Sequence, residues 1–201
     1  MTGERVSTWT RLAPQPGERR PAPGALALVQ GFANTHFDLE HEFGTDVLRS
    51  PEALAAWLHR AELLASDTRL GPVDLERGLE LRAGLREAAR APPHSEAARR
   101  GRERLDALAA QAPIQLRFTT PTPELSGATG AGFPGAVAAL LAISAQAMLD
   151  GRWSRLKVCP GHHCGWLFYD HSRNRSGRWC SMSVCGGREK ARAHYRRQRG
   201  A

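Results

Sequence analysis

Apolar positions first become regular in "GALALVQGFANTHFDL", residues 24–39, an Ala/Leu-rich run that predicts a helix. Ser50 precedes Pro51 and Glu52, an N-cap followed by proline at the first helical position, and Leu54, Trp57, Leu58, Ala61 and Leu64 or Ala65 then recur at helical spacing. Leu75, Leu79, Arg82 and Leu85 to Ala89 predict a further helix after Pro72, ending near Pro92 and Pro93. Ser95 caps the next, which runs to about Ala110 and buries Leu105, Leu108 and Ala109. The period then changes: in "IQLRFTT" the alternation of Ile114, Leu116 and Phe118 predicts a half-buried strand with those three inward, paired with a second strand near Glu124 and Leu125. The loop "PTPELSGATGAGFPG" leads into an apolar helix from Ala136 to Leu149, and Gly151 closes the helical region. That apolar stretch is broken by Pro134, Ser144 and Gln146 and falls short of the ~20 apolar residues of a membrane span, so it reads as a buried helix.

The pattern gives a mainly α fold with a small β component. A lead-in over residues 1–24, containing the Pro/Gly/Arg-rich "APQPGERRPAPG", is expected to be a flexible arm. Residues 25–150 form a mainly helical domain, and residues 151–201 a small module of different composition. With 201 residues and 41% hydrophobic content the chain is long enough to build a core. No apolar segment of signal-peptide length opens it, so the expected location is the cytoplasm, with no membrane partner.

Charge separates the two parts. Residues 1–150 carry 16 Lys and Arg against 18 Asp and Glu, whereas residues 151–201 carry 12 against 2, a local net of +10. An excess of that size in so short a segment suits a polyanion, nucleic acid before a membrane surface. The bland alternative is a solubilising tail.

All four cysteines lie in the basic segment, in the pattern C-x4-C-x15-C-x4-C: Cys159, Cys164, Cys180 and Cys185. Two short loops of this kind bring four thiolates to one point, the donor set of a closed structural zinc site with Zn–S near ~2.3 Å. Zinc would also supply the stability that a module with little apolar surface lacks. Disulfides or free thiols are the alternative, and His162 or His163, inside the first knuckle, could replace one cysteine. The expected cofactor is one structural Zn2+ per chain. Catalytic zinc fits poorly: Asp170 and Glu189 are the segment's only carboxylates, and no H-E-x-x-H or zinc-deaminase pattern occurs in the chain. Asp170, two residues before Ser172, reads as a turn cap or as a partner for His171 or an arginine.

A Zn(Cys)4 centre is formally −2, which leaves the module at about +8. The intervening "GWLFYDHSRNRSGRW" suits a hairpin joining the two knuckles, with Trp166 and Trp179 in a miniature core and Tyr169 free to stack on a base. Beyond Cys185, "GGREKARAHYRRQRG" predicts a basic helix on which Arg188, Arg192, Arg196 and Arg199 share an arc, with Lys190 and Arg197 opposite. Candidate nucleic-acid contacts are Arg188, Lys190, Arg192, Arg196 and Arg197 on that helix and Arg173, Arg175 and Arg178 before it, with Ser172, Asn174 and Ser176 as neutral donors.

These residues carry a family resemblance. The two knuckles, "FYDHSRNRSGRWCSMSVCGGR" and "REKARAHYRR" resemble the CGNR zinc finger, and "LALVQGFANTHFDL" followed by "SPEALAAWL" is similar to the ABATE domain that precedes it. The resemblance implies a stress-induced bacterial transcriptional regulator whose finger binds DNA, with Cys159, Cys164, Cys180 and Cys185 as metal ligands. One departure is visible: Gly187 stands where the motif has Asn. The expected function is zinc-dependent DNA binding in regulation of transcription, with RNA binding or a zinc-stapled protein adaptor as alternatives. The helical domain would dimerise or sense an effector, and Asn34, Thr35, His36 and His41 are its most conspicuous polar cluster, each read as a helix-end or surface residue. No nucleophile–base pair, phosphate loop or dinucleotide fingerprint points to an enzyme.

Overall fold

The computed structural model of the chain describes residues 20–36, 46–90, 94–128 and 130–199. His41, Pro92, Pro93 and most of the lead-in lie outside them. The elements are α1 (Leu26–Ala33), α2 (Pro51–Arg60), α3 (Pro72–Ala88), α4 (Glu96–Ala109), β1 (Ile114–Arg117), β2 (Glu124–Gly127) and α5 (Gly132–Leu149). A 3-10 turn (Arg152–Arg155), β3 (Leu156–Val158), β4 (Leu167–Tyr169), a π-type turn (Met182–Gly186) and α6 (Gly187–Arg199) follow. The fold is thus mainly α with two small antiparallel hairpins, as the patterning predicts.

Local signals act where expected. Ser50 accepts from Ala53 N at 3.3 Å to cap α2, and Ser95 accepts from Ala98 N at 3.2 Å to cap α4. α1 is buried along its whole length, and α5 lies beside it with ten buried residues. By length and composition α5 could cross a membrane, but its buried face packs on α1, α4 and β2 as a core helix does. It starts at Gly132, earlier than Ala136, because Pro134 is tolerated in a first helical turn. Of the lead-in, Ala22 is buried and its N–H donates to Gln30 Oε1 at 2.7 Å.

Two expectations about the strands need correction. β1 and β2 do pair, with Ile114 opposite Gly127, but the alternating apolar residues do not face inward: Ile114 is 36%, Leu116 57% and Phe118 87% exposed. The hairpin reaches the core through β2, where Gly127 comes so close to α5 that a Cβ there would lie 2.4 Å from Gly135 O. That backbone-to-backbone approach seats β2 and leaves β1 outside.

The second correction concerns the basic segment. Its hairpin does not join the two knuckles; β4 pairs with β3, so the hairpin encloses the first knuckle. Residues 170–181 return without strand structure because Asp170 organises their backbone. Alternation in this hairpin serves two cores at once. Leu156, Val158, Leu167 and Tyr169 pack with the helical core, whereas Trp166 and Phe168 pack around the cysteines.

Candidate metal centre and basic groove

The first knuckle, "CPGHHC", turns tightly enough for Cys164 N to donate to Gly161 O at 3.0 Å, with His163 in the left-handed region at φ 55°. Its start is tied to its end: Cys159 N donates to Trp166 O at 2.8 Å. The second knuckle is the π-type turn, where Ser181 caps through Val184 N at 3.3 Å and Cys185 N donates to Ser181 O at 3.0 Å. A Cβ at Gly161 would stand 3.3 Å from both Cβ and Sγ of Cys185, so the knuckles meet closely there.

Together they bring the Sγ atoms of Cys159, Cys164, Cys180 and Cys185 within 4.8 Å of one another, all four residues buried. Cys164 Sγ lies 3.5 Å from Cys180 Sγ, and Cys180 Sγ 3.4 Å from Cys185 Sγ. Tetrahedral zinc with Zn–S of ~2.3 Å needs sulfurs about 3.8 Å apart, so the cluster fits the ion. Its protonation chemistry points the same way. Hydrogen bonds from the Cys164 and Cys180 thiols hold the Cys159 thiol far below its ordinary range. The bond to Cys159 pushes Cys164 and Cys180 up, and burial pushes Cys185 up. Four thiols so crowded cannot all ionise by themselves; a dication is what lets them. The cofactor is one structural zinc, and its shell is closed by sulfur. Among the described residues His162 and His163 are outside the ligand cluster: their rings meet edge to face 3.7 Å apart, and His162 N donates to Glu189 Oε1 at 3.3 Å.

Asp170 is buried and accepts from Ser172 N at 2.9 Å, Gly177 N at 2.7 Å and Lys157 Nζ at 2.6 Å. Burial alone would raise its pKa, but these hydrogen bonds outweigh it and hold the carboxyl well below the usual range. It is the turn cap expected, with Lys157 rather than an arginine as its cation. Arg155 Nη1 donates to Asp170 O at 3.0 Å and Ser172 O at 2.8 Å. Lys157 and Arg155, two of the segment's twelve cations, are therefore engaged inside the module.

The predicted basic residues separate into two groups. Arg173, Arg175 and Arg178 are exposed on the loop after β4, where Arg175 donates to Ser154 Oγ at 3.1 Å and Arg178 lies 5.0 Å over the Trp179 ring. Arg188, Lys190, Arg192, Arg196 and Arg197 are exposed on α6. Of these, Arg192 and Arg196 line a groove of about 870 Å³ with Arg199, Tyr195, Glu189, Pro160 and His162. Arg188, Lys190 and Arg197 are not part of its wall. Trp166 is buried at the metal cluster with Trp179 packed against it, and Tyr169 packs on the helical core, so none of the three stands free to stack on a base.

Sequence reasoning undervalued Asn34 and Thr35. Both are buried, and Asn34, at the C-terminal end of α1, pairs with Leu167 of β4. Residues 155–198 match the family model of the CGNR zinc finger, and residues 24–152 match the ABATE model, described as "Putative stress-induced transcription regulator". No curated protein matches the chain.

Proposed function

Because the chain belongs to the ABATE family and ends in a CGNR zinc finger, we propose that it regulates transcription by binding DNA through its zinc module. The observation that carries this reading is the groove between the first knuckle and α6. Arg192, Arg196 and Arg199 line it from one helix, and His162 faces them from the knuckle. Guanidinium groups on one wall of a groove suit the charge and the paired acceptor oxygens of phosphate. Zinc acts on this interface from a distance, by fixing the knuckle that forms one wall and the turn from which α6 starts. Its closed sulfur shell leaves no position for substrate, so the role proposed for zinc is structural and not catalytic. The setting proposed is the bacterial cytoplasm, under the stress that the family description names.

A second reading has one observation in its favour. Tyr195 lies in the groove and is 65% exposed, an arrangement that would stack on an unpaired base of single-stranded DNA or RNA. Titration of the zinc-loaded protein against duplex DNA, single-stranded DNA and RNA at several salt concentrations separates the two. Duplex binding is expected to weaken steeply with salt, and Arg192→Ala with Arg196→Ala to flatten the slope of log K against log salt by about two contacts. An unchanged slope removes the groove from the interface. Preference for single strands that is lost in Tyr195→Ala favours the second reading.

A further inference from the structure

Three consecutive residues behind the first knuckle are held alternately by the two halves of the molecule. Gly165 O accepts from Arg86 Nη2 of α3 at 2.6 Å. Trp166 O accepts from Cys159 N, inside the metal loop, at 2.8 Å. Leu167 is gripped at both its backbone groups: its N–H donates to Asn34 Oδ1 and its carbonyl accepts from Asn34 Nδ2, each at 2.8 Å, with Gln30 Nε2 at 3.2 Å from the same carbonyl. The Asn34 amide thus presents one acceptor and one donor to β4, as a neighbouring strand would. Side chains alternate with the backbone contacts, Trp166 to the cysteines and Leu167 to the helical core. Gly165 has φ +60°, and a Cβ there would lie 3.0 Å from the Arg86 guanidinium, so the chain passes Arg86 in a shape that suits glycine. Cys164 is the residue immediately before this segment.

We propose that Asn34, Gln30 and Arg86 are positioning residues for the metal: the helical domain holds residues 165–167 in place, and this hold sets how tightly the first knuckle retains zinc. Metal ligands depend on the hydrogen-bonded groups around them, whose removal typically costs about 10–100-fold in affinity. Here those groups stand on or at the end of helices more than 70 residues away in sequence; the Asn34 and Gln30 bonds to Leu167 are buried, with no water to replace them, and the Arg86 bond to Gly165 is part-buried. This inference concerns metal retention alone and holds whether or not the groove binds nucleic acid.

The test uses the full zinc-loaded chain, with zinc affinity and release rate read by competition with a chromogenic chelator in the absence of nucleic acid. Asn34→Ala and Arg86→Ala are expected to bind zinc about 10–100-fold more weakly than the wild type. Leu54→Ala is the control for general loss of stability. Leu54 is fully buried in the helical core and packs on Gly78, two helical turns from Arg86 along α3. It should lower the urea midpoint while leaving zinc affinity within about twofold of wild type. Should Asn34→Ala fail to fold, Arg86→Ala decides by itself. Wild-type zinc affinity in the clamp variants, or an equal loss in Leu54→Ala, overturns the proposal.

Discussion

The guanidinium of Arg82, buried beneath α1, donates to Asp46 Oδ1 and Oδ2 at 2.6 and 2.7 Å and to the Thr35 hydroxyl at 3.3 Å. Burial pushes the Asp46 pKa up, but the hydrogen bonds from Arg82 and from Leu48 N outweigh it and hold the carboxyl below its ordinary range. The sign of the pH effect follows. A depressed folded pKa stabilises fully above the unfolded value of about 3.9, and that stability is lost as pH falls through the folded value. Asp46→Asn leaves Arg82 without its anion and is expected to cost about 1–3 kcal/mol at pH 7, less than a fully buried pair because Asp46 is one-third exposed. Urea titrations at pH 7 should show the cost, and the gap to wild type should begin to narrow near about pH 4 and close only as pH falls through the folded value. A gap that persists in acid would mean that Asp46 acts through shape and not through charge. In the sequence Arg82 sat on an apolar stripe among leucines, and nothing local announced its partner 36 positions away.

At the scale of elements, legibility depended on how local the cause was. Ser50 and Ser95 cap the helices they were expected to cap because the bond spans three residues, and the cysteine pattern was readable because each knuckle is self-contained. The strands were harder. In "WLFYD" the residues from Trp166 to Tyr169 are all apolar, since two cores take alternate side chains, so alternation vanished and the partner strand could not be chosen. In β1 alternation was present and misled, because packing through β2 left its apolar residues outside. Glycines sort by the same logic. Gly187 has φ −64° and ψ −45°, and a Cβ there would meet only Met182 O at 3.6 Å. Gly187→Ala should therefore raise stability by about 0.5–1 kcal/mol, seen as a higher melting temperature of the zinc-loaded protein. Gly127→Ala, facing Gly135 O at 2.4 Å, should lower it. If both changes were neutral, neither backbone freedom nor the hairpin's close approach would be limiting stability.

For the whole molecule, the β3–β4 hairpin is the seam, where the helical core and the metal loop share one pair of strands. Leu156 and Leu167 are buried members of the helical core, each contributing about 1.5–3 kcal/mol through burial, yet the loop between their strands is shaped by the metal. Binding couplings are reciprocal: if the helical domain tightens zinc by a given factor, zinc stabilises the helical arrangement by the same factor. Removing zinc with a chelator should therefore do more than unfold residues 155–198. Amide exchange is expected to accelerate in α1, which loses the hairpin against Gln30 and Asn34, and to change less in α4, whose principal contacts are α3 and α5. Equal acceleration everywhere would mean one cooperative unit, and protection of α1 unchanged by chelation would mean that the helical half stands without the finger. The graded outcome has a functional consequence for the regulatory role proposed above. A signal that displaced α1 or the Arg86 end of α3 would reach the metal loop through residues 165–167, and the groove beside α6 through the knuckle that forms its wall.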